Sequence, residues 1–146
     1  MISPFDQPAF RLFAIASLLL VATLYRLAFL TGKVRDQSKA VVNPEDVRVY
    51  HGASVVDLDH PNVLRVKRAH LNLLENAVPF FVIGLLYALT RPGPAMASVL
   101  FFGFVGIRWV HAFVYMKRLQ PVRAGAFAAG VLVNVIMAAL VVRALF

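Results

Sequence analysis

Four apolar stretches, Ala9 to Leu30, Leu64 to Leu89, Ala95 to Met116 and Ala124 to Leu145, take up most of this chain of 146 residues. Each reaches the roughly 20 mostly apolar residues that a helix needs to cross a bilayer. Such a chain has few folds open to it, because every backbone N–H and C=O in lipid must be satisfied within the spanning element. With 60% hydrophobic and only 15% charged residues, the balance is too apolar for a soluble domain of this length. The sequence therefore predicts an all-α integral membrane protein, with residues 1–146 forming a single four-helix bundle.

Boundary signals frame the four spans. Thr31-Gly32 is expected to close the first, Asn62 after Pro61 to cap the second, Arg91-Pro-Gly-Pro94 to turn tightly into the third, and Pro121 to open the fourth. The first span is read as retained rather than as a cleaved signal, since no basic region precedes Arg11 and three more spans follow. Only residues 32–62 are long and polar enough to form a loop with its own task, and Asn43-Pro-Glu-Asp46 is its most turn-like element. There is no cysteine, so thiol chemistry must draw its thiol from outside the chain.

The formal charge of +8 comes from residues at helix ends and in loops, with no aromatic-interleaved patch of the kind that binds nucleic acid. Lys33, Arg35, Lys39, Arg48, Lys117, Arg118 and Arg123 fall on one side of a four-span topology, which the positive-inside rule assigns to the cytoplasm. On the fourth span, Gly125 with Ala129 and Ala126 with Gly130 would let another helix approach closely, within the chain or from a second subunit.

Polar side chains gather at that same end. Arg68, Asn72 and Glu75 follow i, i+4, i+7, while Arg108, His111 and Tyr115 follow i, i+3, i+7, so each trio shares one helical face. Tyr25, Arg26, His70 and Arg123 lie at the same level. Charge is expensive in a bilayer, about 2.5 to 3.5 kcal/mol at the centre on insertion scales, so such a stripe belongs against protein or a ligand. Pro79 lacks the N–H that would bond the Glu75 carbonyl, and a kink there would open space. Two readings follow, an ion-pair network that holds the bundle together or a ligand pocket, and the number of converging groups favours the pocket. His51, Asp57, Asp59 and His60 have metal-ligating chemistry, but their spacing fits no zinc or calcium pattern; they are read as loop and cap residues, with no metal.

The segment Arg68-Ala-His-Leu-Asn72-Leu-Leu-Glu75-Asn-Ala-Val-Pro79-Phe80 resembles the second-helix signature of the MAPEG family, the membrane-associated proteins of eicosanoid and glutathione metabolism. Thr31 to Arg35 with Asn43 to Asp46, then Arg108, His111 and Tyr115, then Pro121-Val-Arg123 resemble, in order, the remaining motifs of its prostaglandin E synthase and glutathione transferase branch. The resemblance implies a homotrimer in a bacterial inner membrane or the endoplasmic reticulum, with glutathione as cosubstrate between subunits near the cytoplasmic face and a lipophilic substrate arriving from the bilayer. It implies glutathione contacts from Arg68, Asn72, Glu75, Arg108, His111 and Tyr115, with Arg35 supplied by the adjacent subunit. It implies a catalytic Arg123 facing the sulfur, assisted by Asp46.

Three positions depart from that branch: Leu71 stands where it has a second arginine, Ala124 where it has serine, and Phe127 where it has tyrosine. They turn the expectation from prostaglandin synthesis towards a general glutathione transferase or peroxidase acting on lipophilic electrophiles or lipid hydroperoxides. A non-enzymatic scaffold or lipid-binding member of the same family is the competing expectation.

Overall fold

The structure, a computed structural model, describes residues 3–146. Four helices dominate it: α1 (Pro8–Ser38), α2 (Pro61–Leu89), α3 (Pro94–Lys117) and α4 (Gln120–Leu145). All four are long and apolar enough to span a membrane. The α2 and α3 helices touch each other and both outer helices, whereas α1 and α4 share no contact among the described residues. The bundle is thus a rhombus in cross-section, with α1 and α4 at opposite corners.

Proline sets most of the helix starts. Pro8, Pro61, Pro94 and Pro121 each stand in a first turn, where the missing N–H has no intrahelical partner to lose. The Arg91 to Pro94 turn forms as the sequence predicts, with Arg91 at a φ of 55° and Gly93 as the N-cap of α3. The cap of α2 differs from expectation: His60 fills that role, its Nδ1 accepting the Asn62 N–H at 3.3 Å, because Pro61 already occupies the first helical position.

The end of α1 is a second correction. Thr31-Gly32 does not stop the helix; the Thr31 hydroxyl bonds back to the Leu27 carbonyl at 2.9 Å, and the helix runs on to Ser38, where Lys39 adopts the left-handed conformation with φ 49°. Gly32 serves close approach instead, since a Cβ there would lie 3.4 Å from the Tyr50 hydroxyl. At 1.5 Å per residue α1 is about 46 Å long, well beyond the roughly 30 Å of hydrocarbon, so its last turns project from the membrane as a platform. The connecting segment shrinks to residues 39–60 and docks on that platform. Strands β1 (Ala40–Val41) and β2 (Ser54–Val55) pair in parallel, with a 3₁₀ turn over Pro44–Arg48 between them.

Aromatic packing fixes the bundle below the polar end. The Phe80 ring stacks on Phe104 at 4.5 Å and 11°, Phe101 meets Phe80 edge-on at 6.0 Å, and Phe13 of α1 joins both. Gly84 admits Phe13, whose ring would lie 3.0 Å from a Cβ at that position. Trp109 Nε1 donates to the Thr23 hydroxyl at 2.9 Å and ties α3 to α1.

The small residues of α4 divide between two tasks. Gly130 is buried against the Arg108 guanidinium, whose Cζ would come within 2.8 Å of an added Cβ, while Gly125 has nothing within 4 Å of such an atom. Gly130→Ala should therefore destabilise the fold by about 1–3 kcal/mol through overpacking. The check is the thermal midpoint in detergent, which should fall for Gly130→Ala and hold for Gly125→Ala.

Candidate functional site

The polar stripe of α2 and the first turns of α4 face one another across a continuous groove. On α2 the stripe is Arg65, Arg68, Asn72, Glu75 and Pro79, one residue per turn at steps of three and four. On α4 it is Gln120, Arg123, Phe127, Val131 and Asn134, and α3 adds His111 and Tyr115 from its C-terminal end.

Three adjoining bays make up the groove. The outermost, of about 300 Å³, lies between Arg65 and Arg68 on one wall and Tyr115 and Arg123 on the other. Tyr115 and Arg123 also wall the middle bay, of about 330 Å³, together with Asn72, His111, Gln120 and Phe127. Phe127 passes on to the third bay, of about 340 Å³, which Glu75 and Pro79 open and which mostly apolar residues line, with the amides Asn76 and Asn134 among them. Charge thus falls away from the loop end of the bundle towards the middle of the spans.

The electrostatics separate the two readings left open by the sequence. Among the described residues, none of Arg65, Arg68, Arg123 and Glu75 forms an ion pair, so within this chain these charges do not hold the bundle together as a network. Three arginines against one glutamate leave the groove cationic. Arg65 Nε and Asn72 Oδ1 are buried without a hydrogen-bond partner, a costly state unless a ligand completes it.

Arg123 is held by an aromatic ring rather than by a carboxylate. Its Cζ stands 4.6 Å from the centroid of Tyr115, whose ring leans on His111 at 5.8 Å. Such a cation–π contact is worth about 0.5–2 kcal/mol and leaves the N–H groups free to meet an anion. The Arg123 amide makes the first intrahelical bond of α4, to the Leu119 carbonyl at 3.0 Å, so its side chain stands beside the amides of the first turn. A guanidinium and a helix N-terminus both favour negative charge at such a place.

Other residues singled out from the sequence lie elsewhere. Tyr25 and Arg26 are exposed on α1. Arg35 does not border the groove: it reaches Asp59 at 3.5 Å and Asp46 at 3.7 Å, and Asp59 also takes a 2.7 Å bond from Lys67 of α2. Asp46 therefore meets Arg35, not Arg123, within one chain. Its backbone closes the 3₁₀ turn with Asn43. Arg108 is 1% exposed behind the groove, donating to the Ala126 carbonyl at 2.6 Å and lying 5.6 Å from the Phe104 centroid.

This sequence matches the profile of the MAPEG family over residues 13–143. The chain belongs to the MAPEG family. It is 39% identical over 128 residues to the prostaglandin E synthase of Equus caballus, an alignment that covers 87% of this chain and 81% of the relative. It is 37% identical over 120 residues to the human prostaglandin E synthase, with 82% and 78% covered. It is also 37% identical over 137 residues to the human microsomal glutathione S-transferase 1, with 91% and 88% covered. With its four apolar helices, this MAPEG chain is an integral, multi-pass membrane protein.

The structure adds residues that the sequence reading passed over. Arg65 sits three residues before Arg68 on the same stripe, so periodicity alone could have found it. Gln120, Asn76 and Asn134 gave no such signal. They matter only because α2 and α4 are brought together.

The Asp59 carboxylate, 8% exposed, is the joint between α1, the loop and α2. Asp59→Asn should cost about 1–3 kcal/mol by removing one charged partner from two cations. Limited proteolysis should register it as faster cleavage within residues 39–60 than in the wild-type protein.

Proposed function

We propose that this protein is a glutathione transferase of the membrane, with glutathione peroxidase activity, which activates the glutathione thiolate for attack on lipophilic electrophiles or lipid hydroperoxides. The observation that carries the reading is Arg123, unpaired with any carboxylate among the described residues and poised on Tyr115 at the start of α4.

The chain's own groups fit glutathione. The tripeptide bears two carboxylates and one ammonium, and the groove offers Arg65 and Arg68 for carboxylates and Glu75 for an ammonium. Asn72 Oδ1 and Arg65 Nε, both lacking partners, can take up peptide N–H and carboxylate groups. Arg123 and Tyr115, which wall two bays at once, stand where the cysteinyl sulfur would lie between the charged end and the apolar end.

A thiol of pKa about 8.5 is mostly protonated at neutral pH, and the thiolate is the nucleophile. Arg123 stays charged and stabilises the anion, aided by the α4 N-terminus. Lowering the thiol pKa by about two units takes about 2.7 kcal/mol of differential stabilisation. The proton leaves to the water-filled end of the groove. The sulfur then forms a bond to the electrophilic carbon as the leaving group departs, or attacks the terminal oxygen of a hydroperoxide, breaking the O–O bond to give the sulfenic acid and an alkoxide that takes up a proton; a second glutathione then converts the sulfenic acid to the disulfide and water.

As a homotrimer, the reading gains its remaining residues, with Arg35 and Asp46 of a neighbouring subunit closing the groove and Asp46 approaching Arg123. Arg108 supports the site from behind through Gly130 and Ala126. The end of the bundle that carries Lys33, Arg48, Lys117 and Arg118 faces the cytoplasm in this reading, in a bacterial inner membrane or the endoplasmic reticulum.

Arg123→Ala tests the role. Glutathione affinity by calorimetry at pH 7 should fall only about fourfold, since Arg65, Arg68 and Glu75 remain, whereas kcat/KM towards 1-chloro-2,4-dinitrobenzene at pH 7 and saturating glutathione should fall about 25-fold, the loss of thiolate when the bound thiol's pKa rises from about 6.5 to about 8.5. The rate profile should also move to higher pH, because the bound thiol regains its ordinary pKa and is ionised only there. An unshifted profile would remove Arg123 from thiolate stabilisation.

A further inference from the structure

Away from the groove, α3 and α4 enclose a second recess that the transferase reading does not use. It is an open channel of about 540 Å³, with walls of glycine, alanine, valine and isoleucine from Gly103 to Val110 on α3 and from Val122 to Ala129 on α4. It follows a different face of α4 from the one that carries Arg123. Each wall spans seven residue steps, about 10 Å at 1.5 Å per residue.

Glycines keep this channel open, and the packing of the chain itself does not call for them. A Cβ added at Gly103, Gly106 or Gly125 would meet nothing within 4 Å, in contrast to Gly130, where the Arg108 guanidinium fills the place. Glycine is a poor helix former, so each of these positions weakens its helix relative to alanine. A conformational cost without a packing return inside the chain points to an occupant from outside it.

The charge at one end of the channel indicates which occupant. Gly103, Val110 and Lys117 follow one another at steps of seven and so share a face of α3, with Phe113 between the last two. The Lys117 ammonium stands 5.7 Å from the centroid of the exposed Phe113 ring, and the exposed Arg118 follows it. Neither cation forms an ion pair among the described residues, and residues 94–146 contain no Asp or Glu that could supply one. A helix packed into the channel would account for the glycines alone. A molecule with a hydrocarbon tail and an anionic head accounts for the glycines and for the cations.

We propose that the channel between α3 and α4 is a binding site for an anionic phospholipid of the surrounding membrane, with one acyl chain lying along Gly106 and Gly125 and the phosphate meeting Lys117 and Arg118. Lys117 lies about 10 Å along α3 beyond Val110, the stretch that the glycerol and the first methylenes of the chain cover. Basic residues at the membrane surface beside a cleft between spans have the chemistry that selects such headgroups.

Native mass spectrometry of the detergent-purified protein tests this by titration with dioleoylphosphatidylglycerol and, separately, with dioleoylphosphatidylcholine, which share their chains and differ in net charge. In the wild type the first phosphatidylglycerol should bind about tenfold tighter than the first phosphatidylcholine, the scale expected of two basic side chains. Lys117→Gln/Arg118→Gln should bring the two lipids within about twofold of each other, whereas Lys33→Gln/Arg48→Gln, which removes two cations elsewhere at the same end, should keep the preference. Gly106→Leu/Gly125→Leu, which fills the channel, should weaken both lipids by about fivefold or more. Thermal midpoints without added lipid establish that the variants are folded.

Equal affinity for the two lipids in the wild type overturns the proposal, as does a preference that survives Lys117→Gln/Arg118→Gln or is lost equally in Lys33→Gln/Arg48→Gln. Lipid affinities that ignore the two leucines overturn it as well, and if those leucines instead lower the number of subunits in the same spectra, a second copy of the chain fills the channel. None of these readings involves glutathione, so the proposal is tested apart from the transferase reading.

Discussion

The cost of an unpaired charge next to lipid is the constraint from which the rest of this structure follows. Most of the cations gather at one end of the bundle, and those that border the groove are not neutralised there. Arg65, Arg68 and Arg123 face a shared groove without acidic partners among the described residues, while the available aspartates are spent on Arg35 and Lys67. A Tyr115 ring steadies Arg123 without discharging it. The result is a cationic recess whose opposite end is apolar, suited to a reaction between a charged thiol peptide and a partner dissolved in lipid.

Rigidity for that recess comes from below. The Phe13, Phe80, Phe101 and Phe104 cluster locks α1, α2 and α3, and Arg108 locks α3 to α4 through the space that Gly130 leaves. Burying an arginine behind the groove would be a poor way to gain stability alone. Its cost is moderated by the Ala126 carbonyl and the Phe104 face, and it fixes where α4 begins relative to α3. The same α4 then carries both Arg123 and Asn134, so the two ends of the groove keep a constant spacing.

Much of this was legible in the sequence. Four spans, the polar end and the shared faces of Arg68, Asn72, Glu75, His111 and Tyr115 all follow from length and periodicity, which are local properties. What was not legible depended on contacts between segments distant in the chain. Gly32 reads as a helix stop until Tyr50 is seen to pack there. Asp46 and Asp59 read as turn residues until α1 is seen to extend beneath them. Arg108 shares a face with His111 by spacing, yet the approach of Gly130 turns it inward. Two of the three departures from the prostaglandin synthase branch, Ala124 and Phe127, line the middle bay and make it less polar, whereas Leu71 points outward and is exposed.

The central claim is that this groove binds glutathione and ionises its thiol, and ultraviolet difference spectroscopy of the wild-type protein titrated with glutathione tests it most directly. The account predicts a saturable thiolate absorbance at neutral pH that rises in step with thermal stabilisation of the same samples. Stabilisation without thiolate would contradict the activating role and leave a binding protein. A flat response in both would contradict the site itself.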